Sequence, residues 1–390
     1  MINWFERAQE LFPYSQSVRR DLHQHPELGY KEVRTAGIIA NELRALDLEV
    51  TTGIAETGVV ALLEGENPGP VVLLRFDMDA LPVDEQTEAE YCSLNPGRMH
   101  ACGHDGHVAT GLTVARMLSR ERGRLHGTVK FVFQPAEEGL GGAERMVAAG
   151  VMESPHVDYC LALHLWNEKP LGWMGIPEGP LMAGADIFRV WIEGKGGHGA
   201  LPHLAVDPIA AAAYVITALQ GIISRNVSPL ENAVISVTQI HAGETFNVIP
   251  PLVELAGTIR AFEASVRNKV ARRFEEVVQS SVKAAGCTAR IELSRLTPAV
   301  INTPSVAVKV AETAEGLFPD GEIDRGYRTM VSEDMAFLME KAPGCYFMIG
   351  SANPEKGLDY GHHHPKFDFD EQALPRAAAL MAAAAEKLLS

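Results

Sequence analysis

The sequence predicts an α/β protein in which a ferredoxin-like domain is inserted into a larger, discontinuous one, and three observations carry that prediction. Helical and strand-like segments alternate along residues 1 to 184 and 296 to 390, the pattern of an α/β domain. Between two Pro/Gly-rich passages, residues 185 to 295 read β-α-β-β-α-β, the ferredoxin-like order. Five polar clusters each follow a short apolar run, and ligand groups in open α/β sheets gather at the carboxyl ends of strands. A chain of 390 residues also exceeds what one hydrophobic core usually organises, so two domains are expected.

In chain order, the first polar cluster is Asp77-Met78-Asp79, after Val71-Val72-Leu73-Leu74. The second is the segment Met99-His100-Ala101-Cys102-Gly103-His104-Asp105-Gly106-His107. Val129 to Phe133 then precede Gln134-Pro135-Ala136-Glu137-Glu138-Gly139, and Cys160-Leu161-Ala162-Leu163 precede His164. Within the insertion, residues 186 to 193 alternate as a half-buried strand does, with Phe188, Val190 and Ile192 on one face. Asp207 caps and Pro208 opens a helix running to about Ser224. Strands follow at 233 to 241 and 252 to 262, the second with Arg260 on the face opposite Val253, Leu255 and Ile259. Val266, Val270, Phe274, Val277, Val278 and Val282 recur at helical spacing until Gly286, and Ala289 to Leu293 make the last strand. Beyond the insertion, Cys345 to Ile349 precede His362-His363-His364-Pro365, and Ala377 to Ala385 read as a packed terminal helix.

Composition excludes some partners. A formal net charge of −16 disfavours nucleic-acid phosphates and anionic membranes, whose binding relies on clustered Lys and Arg. The start, Met1 to Arg7, lacks a charged region followed by an apolar core, so no signal peptide is expected. No run approaches the ~18 consecutive apolar residues of a membrane span. Five cysteines, odd in number and unpatterned, suit a reducing cytoplasm better than a disulfide framework.

The polar clusters supply metal-binding chemistry. Cys102 and His104, two apart beside Gly103 and Gly106, are presented by a loop and can turn toward one point. Thiolate plus imidazole suits zinc, cobalt, nickel, iron or manganese rather than magnesium or calcium. Adjacent carboxylates Glu137 and Glu138 diverge in direction, so one can bind metal while the other faces water as a base. The bland alternative is an exposed acidic turn. His100 and His107 read as structural or as supports for ligands, and His164 alone would be an ordinary core imidazole. Residue chemistry does not choose among His362, His363 and His364.

Asp77-Met78-Asp79-Ala80-Leu81-Pro82, Met99 to Asp105, Gln134 to Glu138, Gly196-Gly197-His198 and Asn247-Val248-Ile249-Pro250 occur in the order seen in the dinuclear metallo-aminoacylases, which the chain resembles over nearly its whole length. That family includes hippurate hydrolases, auxin-conjugate amidohydrolases and N-acetyl-diaminopimelate deacetylases. The opening Arg19-Arg20-Asp21-Leu22-His23-Gln24-His25-Pro26-Glu27 resembles its N-terminal signature. The resemblance implies a metallopeptidase-like catalytic domain under an inserted lid, with two divalent metal ions bridged by Cys102. His104, Glu138, His164 and His363 would be the other ligands, His363 because the family's ligand stands two residues before the proline, here Pro365. Glu137 would be the general base, His198 would stabilise the oxyanion, and Asn247 and Arg260 would hold the substrate. In the broader clan a histidine stands at the place of Asp77 and an aspartate at that of Cys102, so zinc is not to be assumed over manganese, nickel or cobalt. Asp77 and Asp79 then fall to supporting the ligands.

The expected function is metal-dependent hydrolysis of N-acyl amino acids, in a homodimer or higher homo-oligomer. The nearest alternative is a carboxypeptidase or dipeptidase using the same site on short peptides. A non-catalytic metal- or ligand-binding protein is the third reading, and Glu137 argues against it because a metal container needs Glu138 but not its neighbour.

Overall fold

The computed structural model describes residues 2–390 and divides into two compact units. The first comprises residues up to 181 together with 301–328 and 334–390; the second comprises 182–300 and 329–333.

The first unit is built on eight strands: β1 (Glu49–Ile54), β2 (Gly58–Glu64), β3 (Asn67–Asp77), β4 (His126–Gln134), β5 (Tyr159–Pro170), β6 (Trp173–Gly175), β7 (Glu322–Asp324) and β8 (Gly344–Ala352). They form one mixed sheet in the order β1-β2-β4-β3-β5-β8-β6-β7. The central strands β4, β3, β5 and β8 are mutually parallel, and β1, β2 and the β8–β6 pair add antiparallel neighbours. Parallel strands covered on both faces read as continuous apolar runs, which is why Val71–Phe76, Val129–Phe133 and all of β8 are buried without alternation. The Ala-rich segment is the helix Ala373–Leu389, packed against β3, β5 and the helices His104–Arg120 and Pro304–Leu317. Its small side chains let it lie close to several elements at once.

The main sheet of the second unit has four strands, Gly184–Glu193, Ala233–Ala242, Leu252–Ala261 and Thr288–Thr297, with helices Pro208–Asn226 and Ala264–Ala284 between them. Counting these strands one to four, the sheet order is 2-3-1-4 and every neighbouring pair is antiparallel, the ferredoxin-like arrangement. Phe188, Val190, Ile192, Val253, Leu255, Val270, Phe274 and Val278 fill its core. Asp207 accepts hydrogen bonds from the N–H groups of Ile209 (2.8 Å) and Ala210 (3.3 Å), the cap its position implies. Helix Pro208–Asn226 is also long and apolar enough to cross a membrane by length and composition. Its Ala211, Ala212, Val215, Leu219 and Ile222 are buried in this unit's core, which accounts for part of that apolarity.

Three expectations of local structure are corrected. His164 lies inside the twelve-residue strand β5 rather than just past a strand, because Leu165 to Pro170 continue the ladder beside β8. His104 opens the helix His104–Arg120, so only Cys102 is presented by a loop. A turn at Pro354–Lys356 and further loop separate the His362 triplet from β8, so those imidazoles are not at a strand end.

One buried charge fixes the approach to β5. Lys130, on β4, is 1% exposed and its ammonium donates to the carbonyls of Val151 (2.9 Å), Glu153 (2.8 Å) and Pro155 (2.9 Å). These carbonyls belong to the loop that leads into the His164 strand. Burial lowers the Lys130 pKa to about 8. Replacing Lys130 by Met removes the cation and leaves three carbonyls short of a donor. We expect Lys130→Met to cost about 2 to 4 kcal/mol of stability, read as a lowered midpoint in chemical denaturation. An unchanged midpoint would mean that the loop finds other donors.

Candidate metal centre

The carboxylates come from the ends of β3 and β4. Asp77 closes β3 and pairs in register with Gln134, which closes β4. The next residues turn sharply: Ala136 has φ 56°, a left-handed conformation that non-glycine residues adopt at some cost. Glu32 holds this turn by accepting from the Ala136 N–H at 3.0 Å. Glu137 and Glu138 follow directly, and the Glu138 N–H donates to Asp79 Oδ2 at 3.0 Å.

Cys102 and His104 come from the start of the helix His104–Arg120. Gly103 takes φ 90° as its N-cap, a conformation natural to glycine. Gly106 permits a close approach: a Cβ there would meet Leu165 Cδ1 at 2.6 Å and Phe369 Cζ at 2.7 Å. The helix start can therefore press against β5 beside His164. His104 Nδ1 lies 2.9 Å from the backbone carbonyl of Asp79 and 3.2 Å from Asp79 Oδ1, both acceptors, so Nδ1 carries a proton and Nε2 is the nitrogen left for another partner. His164 is held likewise, its Nδ1 2.7 Å from the Leu165 carbonyl, which leaves Nε2 facing Cys102 Sγ at 3.5 Å.

The triplet is sorted by geometry. His362 directs Nε2 at the Leu165 carbonyl (2.9 Å) and stacks on Trp166 at 4.7 Å. His364 stacks on Tyr360 and accepts the Lys366 N–H through Nδ1 at 3.0 Å. His363 takes φ 65°, donates its N–H to the Ala101 carbonyl at 2.7 Å, and places Nε2 3.2 Å from Glu138 Oε1.

These side chains converge. Cys102, His104 and His164 offer ligand atoms that all lie within 4.8 Å of one another, as do Cys102, Glu138 and His363, and His104, Glu137 and Glu138. Cys102, His104 and Glu138 each belong to two of these groups, and Cys102 is the residue common to the first two. His104 Nε2 is buried without a hydrogen-bond partner among the described residues, its nearest acidic contact being Asp77 Oδ2 at 3.8 Å. Burial pushes the Cys102 thiol well up, and Glu138, Glu137 and Asp77 push further. For His104, burial opposes the charged form, but Asp77 and Asp79 overcome it and raise the imidazole to about 10. His164 is held well below its usual value by burial and then by His107 and His362. A set of thiol, imidazole and carboxylate donors that runs from buried Cys102, His104 and His164 to exposed His363, with this surplus of acidic groups, fits divalent cations of the borderline or soft kind. Two centres sharing Cys102 account for all five donors.

The supporting partners include His107, which the sequence placed as structural or as a support, and two arginines to which it assigned no role. His107 accepts the Leu165 N–H at Nε2 (3.0 Å), so its Nδ1 proton faces Asp77 Oδ1 at 2.5 Å. Arg75, fully buried on β3, meets Asp77 at 2.6 Å and Asp334 at 3.1 Å. Arg19 of the N-terminal signature is fully buried and pairs with Asp105 (2.8 Å), the residue after His104, and with Asp368 (2.7 Å). A buried Arg in an apolar stretch is the signal that could have found Arg75.

His198, Asn247 and Arg260 belong to the second unit. His198 pairs with Val248 in a two-residue ladder and is exposed, its Nδ1 accepting the Ala200 N–H at 3.0 Å. Asn247 is exposed and anchored through its carbonyl, which accepts the Gly199 N–H at 2.8 Å. Arg260 is half-buried and turns back on its own strand, contacting Thr258 Oγ1 and the Ile259 carbonyl. The ladder brings His198 and Asn247 together.

Comparison with known proteins places this geometry in a family. The profile of Peptidase family M20/M25/M40 matches residues 73–387. Thermostable carboxypeptidase 1 of Saccharolobus solfataricus is 39% identical over 95% of this chain and 94% of its own. N-acetylcysteine deacetylase of Bacillus subtilis is 39% identical over 94% of both chains. The crystal structure of a dinuclear metal binding peptidase of the M20 family from Bacillus subtilis superposes with a TM-score of 0.85 at 35% identity, over 98% of this chain and 99% of that one. The chain therefore belongs to peptidase family M20/M25/M40 and is a metal-dependent hydrolase of amide bonds.

Proposed function

We propose that this protein cleaves the amide bond of N-acyl amino acids, releasing the free amino acid and a carboxylic acid. The observation that carries the reading is Glu137: it reaches the same donor cluster as His104 and Glu138, yet the five other donors already account for two metal sites. Cys102, His104, Glu138, His164 and His363 would hold two divalent ions, with manganese, zinc, nickel and cobalt as the candidates. Bound there, such ions polarise the scissile carbonyl and make water a nucleophile near neutral pH.

The chain's own residues do the rest. Glu137 takes the proton from the attacking water and passes it to the departing amine, so one carboxylate serves as base and then as acid. His198 donates to the developing oxyanion, a contribution of about 3 to 4 kcal/mol for a single well-placed donor. Asn247 and Arg260 orient the substrate, Arg260 by pairing with its carboxylate. Closure of the insertion as a lid would exclude water.

A second reading has a specific finding behind it. A relative named carboxypeptidase is as similar as one named deacetylase, 39% identical in each case, so short peptides are the alternative substrates. We also infer a homodimer through the insertion. Strand Ala233–Ala242 is an unpaired edge of its sheet, with Ile240 53% exposed, and the nearby loop bears fully exposed Phe246. Such an edge is a ready template for a second copy. The five free cysteines suit a cytoplasmic setting.

Metal-stripped protein restored with manganese, zinc, nickel or cobalt should release free amino acid from N-acetyl or N-benzoyl amino acids faster than from dipeptides. The reverse order would establish the peptidase reading, and no release with any metal would exclude both. Glu137→Gln should retain two metal ions per chain by elemental analysis while kcat falls by about 10² to 10⁴. Full activity in that variant would remove Glu137 as the base. Sedimentation should give twice the chain mass, and Ile240→Lys should return it to the monomer; a wild-type monomer would end the dimer reading.

A further inference from the structure

We propose that Asp334 is a positioning residue for Glu137, and that Arg75 and Gln134 set Asp334 in place. The inference rests on Glu137 being the general base and adds a device the ligand motifs do not contain. The Asp334 N–H donates to Glu137 Oε1 at 3.4 Å. Its side chain is fully engaged: Oδ1 accepts from Gln134 Nε2 at 2.7 Å and Arg75 Nη2 at 3.1 Å, and Oδ2 accepts from the Ala143 N–H at 2.9 Å. Arg75 donates through Nε to Gln134 Oε1 at 2.7 Å and through Nη1 to Asp77 at 2.6 Å. Asp334, Arg75, Asp77 and Gln134 are each at most 1% exposed.

This geometry does something an ordinary buried ion pair does not. Arg75 and Gln134 stand on adjacent parallel strands, β3 and β4, in the rigid centre of the sheet. Ala143 lies in the first turn of the helix Gly142–Ala148, just past the loop that carries Glu137. Asp334 therefore clamps the sheet to the far side of the Glu137 loop and aims its own N–H at the carboxylate. Glu137 follows a residue in the left-handed region and ends no regular element, so its loop supplies little rigidity of its own. A base must lie within hydrogen-bond reach of the proton it takes, and a displacement of about 1 Å can cost about 10²-fold in rate.

Asp334→Asn keeps the size of the side chain but discharges it beside Arg75 and turns an amide NH₂ toward a carboxylate's donors. With the full chain loaded with manganese and the best substrate of the acyl panel, we expect kcat to fall about 10- to 100-fold. KM should change less than about twofold, with two metals per chain and an intact folding transition. Gln134→Ala removes the amide's donor to the same oxygen and its acceptor for Arg75 Nε but leaves the Arg75–Asp334 charge pair in place, and should lower kcat by less, again at constant KM; it serves if Asp334→Asn does not fold. In a Glu137→Asp background, Asp334→Asn should add little, because both act on one group. An equal fold-loss in both backgrounds, an unchanged kcat, or a loss that tracks metal content would overturn the proposal. Failure of the base assignment itself is read separately, as a Glu137→Gln enzyme with undiminished kcat.

Discussion

Burying so many anionic groups around one point is the constraint on which the rest of this structure depends. Asp77, Glu137, Glu138 and the Cys102 thiol cluster with His104, His164 and His363, Asp77 and Cys102 buried, Glu137 and Glu138 half-buried and His363 at the exposed rim. Burial first and then the neighbouring carboxylates drive the thiol well above its ordinary value, while at His104 Asp77 and Asp79 outweigh burial and drive the imidazole up to hold a proton. Divalent cations relieve that conflict, since an ion that favours thiolate and neutral imidazole reverses both shifts. The donor set is therefore at odds with itself unless cations are counted as part of the folded protein.

The surrounding charges make sense in that light. Arg75 neutralises Asp77 from within the sheet, and Arg19 neutralises Asp105 behind the helix that begins at His104. Neither guanidinium belongs to the donor groups, so each compensates charge without competing for ligand atoms. Removing either would strand a buried carboxylate, which costs far more than an exposed ion pair is worth. Arg19 also ties the helix that begins at His104 to Asp368 and Glu371, a few residues past His363. Two segments that carry candidate donors, more than 250 residues apart, are thus referred to one guanidinium.

Much of this was legible in the sequence, for identifiable reasons. The inserted β-α-β-β-α-β order was readable because its strands alternate and its helices are amphipathic, both consequences of having one face covered. The donors stood out because Cys, His and Glu are unusual beside apolar runs. What the sequence could not reveal depended on distance or direction. His164 looked like a strand-end residue because Leu165 and Trp166 carry no sign that β5 continues. The choice of His363 over His362 and His364 turns on a left-handed backbone and on the two neighbours' other partners. The Arg75–Asp334 pair joins residues 259 apart in sequence, beyond any local pattern.

The thiol sharpens the question of which metals the site prefers. Where the wider clan has an aspartate, this chain places a sulfur shared by both donor groups, so either ion would carry one soft ligand. The remaining candidate donors are three imidazoles and one carboxylate, a borderline set. Softness at the bridge and borderline character around it favour later first-row ions over magnesium and calcium, while geometry and supply decide among manganese, nickel, cobalt and zinc. The same sulfur is the one donor that can be oxidised, and losing it would affect both ions together, because both groups include it. Its burial, at 9% exposure, and the carboxylates that disfavour its thiolate when no cation is bound both oppose that loss. Protection and metal affinity thus share one source at Cys102: the carboxylates that keep the free thiol protonated also make the site attract the cations that would ionise it.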